Sequence, residues 1–422
     1  MSEGKALVPK LRFSEFREAG EWNATPLDHL AARSKQKNRD EKIDRVLTNS
    51  AEFGVLDQRD YFDKDIATQG KLEGYFVVKL GDYVYNPRIS ATAPVGPISK
   101  NNIGTGVMSP LYTVFKFKDS NNDFYHHYFK TTGWHAYMRQ SSSTGARHDR
   151  MAIASEDFMA MPMPLASSEE QQKIADCLSS VDELIAAQAR KLDALKTLKK
   201  GLMQQLFPRE GETQPRLRFP EFQNAREWCS DSLGAIFDTS SGGTPNRSTE
   251  EYWNGSIPWI TTSLVGFNVI TEVNEFISDS GLESSSAKLF PVKTVLVAMY
   301  GQGKTRGQVA MLGIKAATNQ ACAAILPRKE IDPYFVFLNL GSRYEEMRRL
   351  SNSGGQDNLS QGLIQGLQFS YPNDIAEQQR IANCLTSLDD IITAQTQKLE
   401  ALKTHKKGLM QQLFPSPEEV SA

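Results

Sequence analysis

Apolar positions step 4-3-4-3 along one stretch of the chain: Ile174, Leu178, Val181, Ile185, then Gln188, then Leu192, Leu195, Lys199, Leu202 and Leu206. The same step recurs at Ile381, Leu385, Leu388, Ile392, Gln395, Leu399, Leu402, Lys406, Leu409 and Leu413. A period of about 3.5 residues held for roughly five heptads is a coiled-coil seam, and it predicts a long helix at each place. Ser167-x-x-Glu170 and Asp374-x-x-Glu377 are capping boxes at equivalent positions, and Pro208 and Pro415 mark the ends. About 38 helical residues rising 1.5 Å each make rods roughly 55 Å long. Such a rod exceeds the diameter of a small domain, so each seam has its partner in the other. Gln188 and Gln395 interrupt the seams at the same step, as polar residues that set register do. The chain between the rods permits parallel or antiparallel packing. The antiparallel pair is the expectation, because it gives a pseudo-twofold axis with a globular region toward each end.

The two periodic stretches are also copies. Residues 169–208 and 376–415 share 28 of 40 positions and both end in KKGLMQQLFP. The echo extends to PKLRFSEF (9–16) and PRLRFPEF (215–222), and to Glu21-Trp22 and Glu227-Trp228. A tandem duplication accounts for all of it. Residues 17–165 and 223–373 share little sequence but a common layout. Strand-like runs (77–87, 109–117; 289–300, 320–327) precede a Tyr/Phe-rich helical segment (126–140; 333–350) and a polar loop (141–150; 351–358). The expected class is therefore mixed α/β (α+β), with two pseudo-symmetric globular domains separated by two long helices in an antiparallel coiled coil. The boundaries fall at 1–166, 167–208, 209–373, 374–415 and a tail at 416–422.

Composition narrows the function. An apolar content of 40% with 23% charged residues is ordinary for a soluble protein. No run approaches the roughly 20 apolar residues of a membrane span, and MSEGKALVPKLRF lacks the apolar core of a secretion signal. Four scattered cysteines, Cys177, Cys229, Cys322 and Cys384, form no C-x-x-C pair, which points to a reducing cytoplasm without disulfides or a zinc site. Net charge is −2, yet residues 85–150 carry +5 and residues 286–350 carry +6, leaving −13 for the remainder. Two basic segments on an acidic background fit two electrostatic footprints on nucleic acid.

No catalytic constellation accompanies them. GQGKT (301–305) lacks the first glycine of a phosphate loop, since Ala298 stands there. A Gly-flanked loop presenting Gln302, Lys304 and Arg306 suits DNA phosphates and base edges better. His126, His127 and His135 read as packing residues without a metal-ligand spacing. His148, beside Arg147 and Arg150, is a candidate DNA contact. The aromatics of Tyr125–Arg139 read as a buried helix face. The full set of candidate DNA contacts is Arg88, Ser143, Arg147, His148 and Arg150 in the first domain, with Gln302, Lys304, Arg306, Gln356 and Asn358 in the second. No metal ligands and no [DNS]-P-P-[YFW] tetrapeptide of an amino-methyltransferase are present.

Two variable domains alternating with two near-identical helical blocks, EQQ-x-I-A-x-C-L at the start and KKGLMQQLFP at the end, resemble the specificity subunit of type I restriction-modification enzymes. GGTPNRSTEEYWNGSIPWITTSLV (242–265) and GQVAMLGIKAATNQACAAILP (307–327) look like that family's target recognition domains. The resemblance implies double-stranded DNA as ligand, each domain reading half of a split site. It implies helices that space the domains and dock two methyltransferase subunits, with restriction/translocase subunits joining them. S-adenosylmethionine, ATP and magnesium would belong to those partners, leaving no cofactor and no catalysis in this chain. A bivalent protein-binding structural adaptor is the competing reading; it predicts no basic windows.

Overall fold

The structure, a computed structural model, describes residues 7–61, 72–144, 149–301, 304–350 and 358–415. Two compact units emerge, one of residues 1–188 and 398–422 and one of residues 189–397. Both predicted helices are present, as Ser168–Leu206 and Ile375–Leu413, each of 39 residues. The unit boundary falls inside each helix, so every unit owns the start of one and the end of the other.

Within each unit the two helix portions run antiparallel, as expected. In the first, Lys406 Nζ donates to Asp182 Oδ1 at 2.5 Å, and Ile174 and Leu178 share a core with Leu409 and Leu413. In the second, Lys199 Nζ donates to Asp389 at 2.5 and 2.7 Å, and Leu202 and Leu206 share a core with Ile381 and Leu385. Lys199 and Lys406 are thus seam residues whose charge meets a carboxylate from the facing helix. The remaining seam positions are buried or half-buried, among them Val181, Ile185, Leu192, Leu195, Leu388, Ile392, Leu399 and Leu402, as are Gln188 and Gln395.

The first head, residues 7–166, holds an antiparallel sheet with strand order 31–33, 113–117, 83–85, 98–100. The second holds a five-stranded sheet ordered 239–241, 322–325, 295–298, 309–312, 268–270, whose last pair is parallel. A further four-stranded sheet is ordered 276–277, 253–260, 316–318, 289–290. Both heads are closed the same way. Asn23–Pro26 pairs with Pro162–Leu165, and Cys229–Ser232 pairs with Gln368–Tyr371, each returning the chain to the start of its long helix. The aromatic segment expected as one helix at 126–140 is two, Asp123–Tyr128 and His135–Ser141. Thr131 and Gly133 make the break, Thr131 Oγ1 bonding back to Tyr128 O at 2.7 Å and accepting from Gly133 N–H at 3.2 Å.

The short echoed segments explain themselves here. Arg12 grips Glu170 through Nε to Oε1 (2.7 Å) and Nη2 to Oε2 (2.5 Å), Trp22 Nε1 adds a bond at 3.0 Å, and Leu11 N–H donates to Gln412 O at 2.9 Å. In the second unit Arg218 grips Glu377 at 2.8 and 2.5 Å, Trp228 Nε1 adds 3.2 Å, and Leu217 N–H donates to Gln205 O at 3.0 Å. Each latch therefore ties the start of one long helix to the end of the other. The expected capping boxes are half right. Ser167 Oγ accepts from Glu170 N–H at 3.2 Å, but the Glu170 and Glu377 carboxylates are turned to the latch arginines. A guanidinium offers them two charge-assisted bonds where a backbone N–H offers one.

Candidate nucleic-acid interface

In the first head, strand Tyr83–Tyr85 runs out through Asn86-Pro87 to Arg88, and the chain returns beside it at Arg150. Ile89 N–H donates to Asp149 O (3.0 Å) and Met151 N–H to Pro87 O (2.9 Å), so two arginines 62 positions apart become neighbours. Asn86 fixes the bend: its Oδ1 accepts from Arg88 N–H at 3.1 Å and its Nδ2 donates to Asn49 O at 2.9 Å. Gly96, at φ +80°, lies so close that a Cβ there would sit 2.1 Å from Asn86 O, so only glycine fits. Arg88 and Arg150 line an open cleft of about 540 Å³ with Thr48, Ser50, Asn86 and Tyr112. Ser143 is exposed on the short strand 143–144 paired with 151–152, which leads into the same arginine pair. Arg147 and His148 lie outside the described residues.

In the second head the basic loop between strands 295–298 and 309–312 leans on the helix Tyr344–Arg349. Tyr344 OH donates to Lys304 O at 2.6 Å, Arg306 Nη2 to Arg348 O at 3.0 Å, and Arg348 Nη1 to Tyr344 OH at 2.9 Å. Gly307 turns the loop at φ +83°, a backbone conformation that favours glycine. Asn358 reaches the same loop through its neighbour, since Leu359 N–H donates to Met299 O at 3.0 Å. Lys304 is exposed, whereas Arg306 and Asn358 are half-buried. Gln302 and Gln356 lie outside the described residues.

The structure thus gathers Arg88 and Arg150 in one cluster, with Ser143 leading to it, and sets Lys304 and Arg306 against one helix, with Asn358 next to Leu359, which bonds to Met299 ahead of their loop. Sequence reasoning missed Asn86, Tyr112, Tyr344 and Arg348, which shape these clusters. A signal existed only for the last two, in the aromatic-basic run of 333–350.

The basic windows are less uniform than their sums suggested. In the first, Lys100 pairs with Asp123 (2.7 Å), Lys130 with Asp182 (3.8 Å), and Lys118 Nζ donates to Asp28 O and His29 O at 3.0 and 2.8 Å. In the second, Arg328, Arg343 and Arg349 pair with Glu330, Glu346 and Glu210. Asp123, Glu330 and Glu346 belong to the windows and are already in their sums; Asp182 and Glu210 come from outside and offset one cation in each.

The histidines and aromatics behave as packing residues. Tyr125, Tyr128, Phe129 and Trp134 are buried in the first head's core. Burial pushes His126 down to about 3 and His127 to about 4, so both are neutral at pH 7. Among the described residues no three His, Cys, Asp or Glu side chains cluster as a metal site requires, and no helix is long and apolar enough to cross a membrane.

Residues 225–404 match the family model of the type I restriction modification DNA specificity domain. The specificity subunit of the Escherichia coli type I restriction enzyme EcoR124I/EcoR124II is 26% identical over 291 residues, covering 65% of this chain and 68% of that protein. The specificity subunit of the Methanocaldococcus jannaschii enzyme MjaIX is 25% identical over 183 residues, covering 42% of this chain and only 41% of its own length. Two solved structures share the fold. The S subunit of a type I restriction-modification system from M. genitalium gives a TM-score of 0.56 at 16% identity, covering 97% of this chain and 100% of its own. A chain solved in work on complex assembly and conformational transition of the type I R-M system gives 0.59 at 15%, covering 94% and 98%.

Proposed function

The chain carries the type I restriction-modification DNA specificity domain and is a homologue of the specificity subunits of those enzymes, and on that premise we propose how the reading is divided. Each head reads one half of a split double-stranded DNA site. The first uses the cleft that holds Arg88 and Arg150, with Ser143 beside it. The second uses the loop carrying Lys304 and Arg306, with Asn358 alongside. Guanidinium forks suit guanine edges in the major groove, whereas an exposed lysine suits phosphate.

The observation that carries this reading is the doubled frame. Latch, seam, helix ion pair and head closure are each built twice, while the displayed side chains differ. A frame copied with its surface changed is what two independent readings on one scaffold require.

The chain contributes specificity and no catalysis of its own. Methyl transfer from S-adenosylmethionine, and ATP- and magnesium-dependent translocation and cleavage, fall to two methyltransferase subunits and to restriction subunits. Leu184 (57% exposed) and Ile391 (44% exposed) occupy equivalent places on the two helices and suit the docking of one methyltransferase subunit on each unit. The helices between the heads set the unread spacer of the target.

The test is to reconstitute the chain with its system's other subunits and map the methylated adenines in exposed DNA. Two fixed half-sites around a constant gap are the expected pattern. Arg150→Ala should cost about 1–3 kcal/mol of binding and relax one base position if its fork reads guanine. A single undivided site, or methylation unrelated to sequence, would count against the division.

A further inference from the structure

We propose that Phe267 is a stacking wedge: its ring enters the duplex between two base pairs beside the Lys304–Arg306 loop. The inference deepens the reading of the second head as a DNA-reading surface and rests on it.

Phe267 combines three features. It is 44% exposed, it takes a positive φ of 58°, and its ring meets the basic loop's own brace. Positive φ is uncommon outside glycine, asparagine and aspartate, and for a bulky apolar residue it marks strain. The other non-glycine residues in that state among those described are Glu41, Asn254 and Lys293, all polar, so Phe267 stands apart. Its conformation is fixed on every side. Its N–H donates to Val309 O at 2.7 Å, Gly266 N–H donates to Asn268 Oδ1 at 2.9 Å, and Val265 and Ile270 anchor the flanks in the core. The fold thus holds an apolar ring, 44% exposed, on a strained backbone.

What surrounds the ring gives the reason. Tyr344 meets it edge-on, with centroids 5.2 Å apart and planes at 82°. The same Tyr344 bonds to Lys304 O and accepts from Arg348, whose guanidinium also lies 5.5 Å from the tyrosine ring centre. The brace for the aromatic is therefore the brace for the cations. Cations beside a projecting ring match a nucleic-acid step: phosphates meet Lys304 and Arg306 while the ring meets base faces. Apolar side chains inserted between base pairs unstack and kink the duplex, and aromatic stacking tolerates any base. Such a wedge would contribute to specificity through the deformability of the step it opens.

The test uses the full-length chain reconstituted with its methyltransferase subunits and a duplex carrying the mapped target. 2-Aminopurine is placed in turn at each position of the second half-site. The wild-type complex should brighten the probe at one step. Phe267→Asn relieves the strained backbone, because asparagine tolerates positive φ, and removes the ring. It should abolish that signal and weaken binding about 10-fold, a typical loss for one stacked base, with a melting temperature no lower than wild type. Phe267→Trp should keep both signal and affinity. Lys304→Glu is the control for the underlying reading and should weaken binding in a salt-dependent way. If Lys304→Glu weakens binding while Phe267→Asn leaves affinity unchanged, or if no position brightens in the wild type, the wedge is overturned and the DNA-reading surface stands. If neither substitution matters, both fail together.

Discussion

Glu170 and Glu377 are each about 1% exposed, and each carboxylate is held by its latch arginine and tryptophan. Removing one partner of a buried pair strands the other, at a cost of about 3–5 kcal/mol. Glu170→Ala should therefore destabilise the first unit by that order, and Glu377→Ala the second, each leaving amide hydrogen exchange in the other unit nearly unchanged. Uniform loss of protection from either substitution would show that the latches are not separate. The echoed letters were legible in the sequence, but their purpose was not. Arg12 and Glu170 stand 158 positions apart, and no local pattern announces that meeting. A second residue-scale expectation concerns acid. Burial lowers His127 to about 4 from its ordinary 6.5, so the unfolded chain binds more protons between those values. Its contribution to stability is complete above about pH 6.5 and is lost as pH falls toward 4. His126, lowered to about 3, acts in the same direction. Asp182, 4.0 Å from His127 Nδ1, gives the imidazolium a partner and softens the loss. Thermal melts from pH 7 to pH 4 should decline less steeply for His127→Gln, and parallel curves would refute the assignment.

At the scale of elements, the long helices were readable to within a residue or two because period and terminal prolines agreed, even though the capping glutamates serve the latches instead. The strands were readable only as runs. They are mostly three to five residues long, and tertiary pairing, not local alternation, sets their ends. The helical ion pairs Asp182–Lys406 and Lys199–Asp389 fix register separately in each unit. Seven residues inserted at both helical unit boundaries, after Gln188 and after Gln397, keep the seams in phase and leave both pairs intact. Each rod lengthens by about 10 Å, the rise of roughly three base pairs. The added twist of the DNA absorbs part of this. Methylation mapping should therefore find both half-sites unchanged and the spacer longer by one to three base pairs. An active variant with its original spacer would show that the helices are not the ruler.

At the scale of the whole molecule, the duplication was plain from letters alone, whereas the candidate site was legible only in part. Net charge by window overstated the surface field, since Lys130 and Arg349 meet carboxylates from outside their windows, Asp182 and Glu210. Arg88 and Arg150 were picked singly and became a pair only through the bridge between their backbones. If the frame is common and the heads are independent readers, exchanging residues 17–165 for those of a relative should change one half-site. The methylation map should show the other half untouched, and coupled changes in both would contradict modularity.

The latch between Leu11 and Gln412 bears on synthesis. The second unit is one continuous stretch, 189–397, and can close as soon as it leaves the ribosome. The first head cannot, because its core holds Phe414, whose ring sits 5.1 Å from Phe124 and 5.7 Å from Tyr128. More than two hundred residues separate the end of that head's own stretch from the side chains that complete it. At about 5–20 residues per second the apolar slot stays open for roughly 10–45 s on every nascent chain. The head made first is thus finished last, and a chain released before Leu409 would carry a closed second head beside a first head exposed to chaperones and proteases.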